Sequence, residues 1–252
     1  MEYLIVSLAS LFAGFVDSIV GGGGLILVPA LFATFPAAHP ATLFGTNKGA
    51  SVWGTAFATW QYSHRVEMRW SALWPAAAAG LLASLAGAWL VTVISPDFLR
   101  RVLPFVLLLV LLYTLLKKDL GRSHRPQYAG RREQSIGVGI GLLIGFYDGF
   151  FGPGAGSFLV FLFVRLMGYD FLNASAAAKL INTATNLSAL LLFIAKGHIW
   201  WHFVLVMAAA NVLGSLLGTR MALRHGTGFV RVVFLLVVSA LILKTGADAF
   251  LK

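Results

Sequence analysis

Cysteine is absent from the 252 residues, so disulfides and thiol chemistry contribute nothing here. Charge is nearly as scarce: 11% of residues are Asp, Glu, Lys or Arg, against about 25% in an ordinary soluble domain. Acids are the rarest of all, nine against nineteen Lys and Arg, which leaves a formal net charge of +10. Hydrophobic residues fill the gap, at 59% of the chain with a mean hydropathy of +0.85. Uncharged stretches recur, among them 102–116 and 203–219. A helix crosses a bilayer with about 20 mostly apolar residues, which leaves room for about eight to ten membrane segments. The fold class expected is an all-α polytopic membrane protein.

A strongly basic chain invites a nucleic-acid reading, because Lys/Arg stripes bind phosphate backbones. The placement of the charge argues otherwise. Six of the nineteen Lys and Arg residues fall in "KKDLGRSHRPQYAGRR", Lys117 to Arg132, the pattern of a cytoplasmic loop under the positive-inside rule. Anionic lipid is a secondary partner for that loop, and nucleic acid is not expected. The start, "MEYLIVSLASLFAG", has the apolar core of a signal peptide but lacks its positive leading region. Its continuation also recurs later in the chain, so it reads as mature structure.

That recurrence organises the whole chain. One constant shift, without a gap, lays Gly14, Phe15, Asp17, Gly21 and Gly23 on Gly145, Phe146, Asp148, Gly152 and Gly154. The same shift lays Lys48 on Lys179, Trp70 on Trp201, Ser84 on Ser215 and Gly87 on Gly218. Matches at Asp, Lys and Trp carry weight because those residues are scarce. Residues 1–116 form a first membrane repeat, 117–133 a basic cytoplasmic linker and 134–252 a second membrane repeat.

Each repeat opens with an apolar segment (3–20; 134–151), a glycine cluster and a short apolar segment (25–35; 156–167). Three longer segments follow: 42–62, 70–93 and 97–117, then 173–195, 200–222 and 229–248. About eleven helical residues reach only some 16 Å, too short to span comfortably. The short segments therefore read as re-entrant half-helices or short spans folded back on the segment before. Each half then crosses an odd number of times and the repeats are inverted. If the glycines only kink one continuous helix, the repeats are parallel. Leaving aside Lys48 and Lys179, the inverted arrangement sorts the remaining Lys and Arg twelve against five, and the parallel one eleven against six. The inverted arrangement is preferred, with both chain ends outside.

Asp17, Lys48, Asp148 and Lys179 are the ionisable residues, histidine aside, that lie within the expected spans away from their ends. A charge at the bilayer centre costs at least about 2.5–3.5 kcal/mol, so such residues face one another or a cavity. Mutual neutralisation is the plainer explanation. The polar company of both lysines, in "GTNKGAS" and "AAAKLINTATN", favours a binding site. On a helix, Lys179, Thr183 and Asn186 share a face with Asn182 beside them, and Asn47, Lys48 and Ser51 sit comparably. Two ammonium groups among amide and hydroxyl donors describe an anion site. Where a helix restarts after each glycine cluster, free N–H groups and a positive dipole end add to it. Gly22, Gly23, Gly24, Gly154 and Ser157 are the expected backbone contributors. Asp17 and Asp148 are candidates for carrying coupling protons. Gly80, Gly87, Gly214 and Gly218 read as helix-packing positions.

Other motifs weigh less. A nucleotide loop would need a strand before "GGGG" and Lys-Ser/Thr after it, and neither is present. His198 and His202 have metal-ligand spacing but no carboxylate or cysteine beside them, and Trp200 and Trp201 point to a membrane interface. No serine sits in a nucleophile-elbow context, so an enzyme is not expected.

"GFVDSIVGGGGLILVPAL" with "GTNK", followed by "GFYDGFFGPGAGSF" with "AAAKLINTATNLSALLLFIAKGHIWW", resembles the TauE/SafE-type sulfite exporter family of the toluene-sulfonate uptake permease group. The likeness covers nearly the whole chain. It implies a multi-pass permease of the prokaryotic inner membrane, of about eight spans, moving sulfite or organosulfonates. The function expected is secondary transport of a small sulfur oxyanion with proton coupling. A passive anion channel is the alternative, and a membrane enzyme or assembly factor using the same cavity is a more distant one. The partners expected are that anion and the lipid bilayer, with a homodimer as one admissible assembly; no cofactor and no metal are expected.

Overall fold

The structure, a computed structural model, describes residues 1–95, 97–98 and 124–250. Apart from 97–98, the expected span 97–117 lies outside the described residues, as does 117–123 of the linker. Among the described residues there are eight helices and no strand: α1 (Glu2–Val20), α2 (Gly24–Thr34), α3 (Pro40–Ser63), α4 (Trp70–Val93), α5 (Gly130–Phe150), α6 (Ala155–Met167), α7 (Phe171–Ala195) and α8 (Trp201–Phe250). The last consists of two helices joined end to end, bent where Gly226 leaves helical geometry. Helix α5 begins at Gly130, so the end of the expected linker is already helical. Four of these helices are long and apolar enough to cross a membrane: α1, α4, α7 and the 201–230 part of α8.

Local chemistry sets these boundaries. His39 caps α3 by accepting a hydrogen bond from the Ala41 N–H at 3.2 Å, and Pro40 supplies a first helical residue with no N–H to satisfy. Asp170 caps α7 by accepting from the Asn173 N–H at 2.8 Å. Helix α1 stops at Gly21, whose φ of 79° is a conformation that glycine alone adopts cheaply. Gly152, its counterpart in the second repeat, has φ 83° just after α5. Both glycine clusters therefore break the chain at corresponding places, and each is followed by a short helix.

Helix directions follow from what meets at each end of the bundle. At one end the Tyr3 ring packs on Phe203 (centroids 4.6 Å apart), Phe35 meets Trp200, and His39 stacks on His198. That end holds the starts of α1, α3 and α8 and the finishes of α2 and α7. At the other end Arg69 pairs with Glu133 (2.9 Å), Glu133 accepts from the Tyr169 hydroxyl (3.0 Å), and the Gln127 N–H donates to the Met167 carbonyl. That end holds the starts of α4, α5 and α7 and the finish of α6. Helices α1 and α5 thus run in opposite directions, as do α3 and α7. Each of α2 and α6 doubles back toward the end from which its predecessor came.

Small residues let the long helices lie close. A methyl group on Gly87 would sit 2.2 Å from the Phe146 carbonyl oxygen, and one on Gly214 would sit 2.0 Å from that of Leu11. Gly145 lies similarly close to the Gly80 backbone, and Gly218 meets the Ser18 hydroxyl and the Phe15 carbonyl. Helix α4 is therefore clamped on α5 and α1 on α8, the close backbone approach that small residues provide inside membranes. The main apolar core, around Leu159, Phe163, Ala177 and Ile181, packs α6 and α7 together. The tips of the two helix breaks meet between the clamped pairs.

Candidate functional site

Lys48 is the ninth residue of α3 and Lys179 the ninth of α7. Because the two helices run in opposite directions, both ammonium groups reach the same central level from opposite ends. There they meet the two helix breaks. The Lys48 Nζ lies 2.7 Å from Asp148 Oδ1, and the Lys179 Nζ lies 2.7 Å from Asp17 Oδ2. Each lysine thus pairs with the aspartate from the other half of the chain. Lys179 is fully buried and Lys48 3% exposed, so neither charge is neutralised by water.

The two pairs have unequal surroundings. Lys48 also donates to Asn186 Oδ1 at 2.9 Å, and the Thr185 hydroxyl donates to Asp148 Oδ2. Asn186 in turn donates to the Thr55 hydroxyl at 3.4 Å. Asp17 receives, besides Lys179, a long bond of 3.3 Å from the Gly23 N–H. Its side chain is 18% exposed, against 7% for Asp148.

Between the pairs is a cavity of about 30 Å³. Its charged wall is Asp17, Lys48 and Asp148, and its amide wall is Asn47, Asn182 and Asn186. Gly21, Gly24, Gly152 and Gly156 form the backbone wall, completed by Ser51. That volume suits about one water molecule; a pyramidal oxyanion of four atoms needs more. The Oδ1 atoms of Asn47 and Asn182 are buried without a hydrogen-bond partner among the described residues. Buried amide oxygens of this kind are costly unless something else bonds to them.

The breaks are held tip to tip. The Ser157 N–H donates to the Gly21 carbonyl at 2.9 Å and its hydroxyl to the Val20 carbonyl at 3.0 Å. A methyl group on Gly21 would sit 2.2 Å from the Gly156 carbonyl carbon, so these backbones touch only because both positions are glycine. Two tyrosines brace the tips from behind: Tyr62 donates to the Ser18 carbonyl (2.9 Å) and Tyr147 to that of Pro153 (2.6 Å).

Of the residues expected from sequence, Lys48, Asp17, Asp148, Asn47, Asn182, Asn186 and Gly24 line the cavity, and Lys179 closes it through Asp17. Thr183 does not line it: its hydroxyl donates to the Lys179 carbonyl and meets the Thr59 hydroxyl at 2.9 Å, on the α3 side. Gly22, Gly23, Gly154 and Ser157 also lie off its wall. Gly23 serves Asp17, and Ser157 serves the contact between tips. The glycines that join Gly24 on the wall are Gly21, Gly152 and Gly156, and Thr185 is an unexpected partner of Asp148. The constant shift lays Gly21 on Gly152 but equally Gly23 on Gly154, so it does not single out the pair on the wall.

His198 and His202 diverge. His198 precedes α8, stacks on His39 at 5.0 Å and meets the Thr42 hydroxyl at 3.2 Å; His202 packs on Phe203. Burial, then the neighbouring His39 and Lys196, push the His198 pKa below its ordinary value. Among the described residues no three His, Asp or Glu side chains gather in a way that could hold a metal ion.

Comparison with known proteins agrees in its reach. The family model described as "Sulfite exporter TauE/SafE" matches residues 6–245. The chain is 36% identical over 247 residues to "Probable membrane transporter protein YfcA" of Escherichia coli strain K12, covering 97% of this chain and 90% of that protein. It is likewise 36% identical over 241 residues to "Probable membrane transporter protein ORF9" of Sinorhizobium sp, covering 95% and 90%. "Probable membrane transporter protein YunE" of Bacillus subtilis strain 168 is 22% identical over 246 residues, covering 86% and 88%. No solved structure gives a significant match.

Proposed function

From the premise that this chain belongs to the TauE/SafE sulfite exporter family and is a membrane transporter, we propose that it carries a small sulfur oxyanion, sulfite or an organosulfonate, with protons. The observation that carries this reading is the reciprocal pairing of Lys48 with Asp148 and Lys179 with Asp17 around one central cavity. As paired, the site is electrically neutral and closed. An oxyanion competes with the carboxylates for the ammonium groups. If it displaced an ionised aspartate, two anions would share one cation at low dielectric, which is prohibitive. Protonation of the aspartate removes the competitor and leaves one ammonium charge per bound anionic charge. The proton thus travels with the anion because charge must balance in a buried site of low dielectric.

The two halves, 1–116 and 134–252, act in this proposal as inverted repeats joined by a cytoplasmic linker in the prokaryotic inner membrane. The eight described arginines outside the bend region (Arg65, Arg69, Arg125, Arg131, Arg132, Arg165, Arg220 and Arg224) support that orientation. They all belong to the end of the bundle that holds the linker, while Lys196 belongs to the opposite end. Broken helices meeting near the midplane of inverted repeats are a recurrent transporter design, in which one repeat rocks against the other. Parting the tips at Gly21 and Ser157 would enlarge the cavity on one side at a time. Asn47 and Asn182 would turn their amide N–H groups to the anion's oxygens.

The test is uptake of labelled sulfite and of an aryl sulfonate into proteoliposomes under an imposed pH gradient. Saturable flux that rises with the gradient, and falls to the level of empty vesicles in Lys48→Ala and Lys179→Ala, is the expected result. Flux unchanged in both variants would overturn the site assignment. Non-saturating flux indifferent to the gradient would make the protein a channel.

A further inference from the structure

At the linker end of the bundle, a groove of about 940 Å³ lies between α3, the start of α7 and α8. Its cationic rim is Arg65, Arg220 and Arg224, with His64 beside them. None of the three arginines is in an ion pair with a described carboxylate. Its deeper wall is apolar, formed by Phe57 and Trp60 on α3 and by Leu216 and Leu223 on α8. These residues form two matched stripes. Phe57, Trp60, Gln61 and His64 follow i, i+3, i+4, i+7 on one helix, and Leu216, Arg220 and Leu223 follow i, i+4, i+7 on the other, so each set shares a face. Gln61 also lines the groove, and its buried Nε2 has no acceptor among the described residues.

We propose that this groove binds one phospholipid with an anionic headgroup. The phosphodiester sits among Arg65, Arg220 and Arg224, and an acyl chain runs along Phe57 and Leu216 toward the membrane centre. Charge complementarity selects the headgroup: three guanidinium groups without an ion pair to a described carboxylate suit an anion, and guanidinium matches phosphate oxygens in bidentate geometry. Shape selects a lipid over a free anion. A phosphate ion fills a small part of 940 Å³ and leaves the apolar wall wet, whereas a chain covers it. Trp60 is 58% exposed on the wall, where an indole suits the headgroup boundary. By the positive-inside rule this end faces the cytoplasm, and the inner leaflet supplies the anionic lipid. The occupant would bridge α3 and α8 beyond the reach of their side-chain hydrogen bonds, so its binding steadies the helix that carries Lys48 without touching the central cavity.

The test uses the full chain, purified and delipidated in detergent. Binding is followed by native mass spectrometry and thermal unfolding, with phosphatidylglycerol, phosphatidylcholine or glycerol 3-phosphate added. Phosphatidylglycerol should bind and raise Tm, while phosphatidylcholine and the chain-free glycerol phosphate should do neither. Arg220→Gln/Arg224→Gln should weaken phosphatidylglycerol about thirtyfold, from about fivefold per basic side chain at an anionic surface. Arg131→Gln/Arg132→Gln, at the same end but off the groove, should leave it unchanged. If the first double variant does not fold, Arg65→Gln, in the loop after α3, carries the same readout with about a fivefold loss. Equal binding of both phospholipids, an equal effect of glycerol phosphate, or an equal loss in the Arg131/Arg132 control would each overturn the proposal.

Discussion

Asp148 and Asp17 hold equivalent places in the two repeats and each faces a lysine at 2.7 Å, yet one is enclosed and the other is not. The cause is legible two helices away. Positions 185 and 186 of α7 are Thr and Asn; their counterparts in the first repeat, 54 and 55 of α3, are Gly and Thr. Thr185 and Asn186 reach the Lys48–Asp148 pair. Gly54 has no side chain to offer Lys179 and Asp17, and none would fit. A methyl group there would sit 2.0 Å from the Asn211 Oδ1, and the Gly54 carbonyl already accepts from Ser215 at 2.6 Å. The constant shift makes the two pairs equivalent in sequence, and packing against α8 leaves no room at Gly54 for the support that Thr185 gives. In the proposed mechanism, Lys48–Asp148 is accordingly the fixed half of the site and Lys179–Asp17 the half that exchanges.

The largest effect should come from removing the lysines. Lys48→Ala leaves the enclosed Asp148 carboxylate without its cation and should cost about 3–5 kcal/mol of stability. Lys179→Ala should cost about half of that, because Asp17 keeps partial exposure and the Gly23 N–H. Chemical unfolding in detergent measures both, and equal losses would break the comparison. Removing the whole enclosed pair in Lys48→Ala/Asp148→Ala should recover most of the lost stability without restoring flux.

Next in size is Thr185→Ala. It removes a hydroxyl bound to a carboxylate and should cost about 1.5–3 kcal/mol, making the fixed pair resemble its counterpart. Stability unchanged by this substitution would mean that Thr185 does not account for the difference. Smallest is the contrast between the aspartates themselves. In Asp17→Asn the response of flux to a pH gradient should vanish, while Asp148→Asn should keep a response to it. The opposite ranking would exchange the roles of the two halves.

Much of this was readable before any coordinates. The constant shift between the repeats located both helix breaks, both lysines and both aspartates, because scarce residue types repeated at one interval cannot be mistaken for apolar background. Cross-pairing was not readable, since either lysine could equally have met the aspartate of its own half. Thr183 shows a second limit. It shares an arc of α7 with Lys179 and Asn186, but that arc is wide enough to touch two neighbours, and its edge at Thr183 faces Thr59 on α3 rather than the breaks. Among the glycines, sequence located the clusters but not their members. Which members face the cavity is set by contacts across the bundle: Gly154 has φ 82° yet lies off the wall, while Gly24 and Gly156 lie on it.

Cross-pairing also has a consequence in time. Asp17 precedes its partner by 162 residues and Lys48 precedes its own by 100. At roughly 5–20 residues per second of synthesis, Asp17 enters the membrane about 8–32 seconds before Lys179 exists. From the synthesis of Lys48 until that of Asp148, the newborn first half holds this acid and this base with neither final companion made. They must stay uncharged or settle for each other until the second half arrives and exchanges partners with them, so the chain completes its chemistry only once translation has entered its last third.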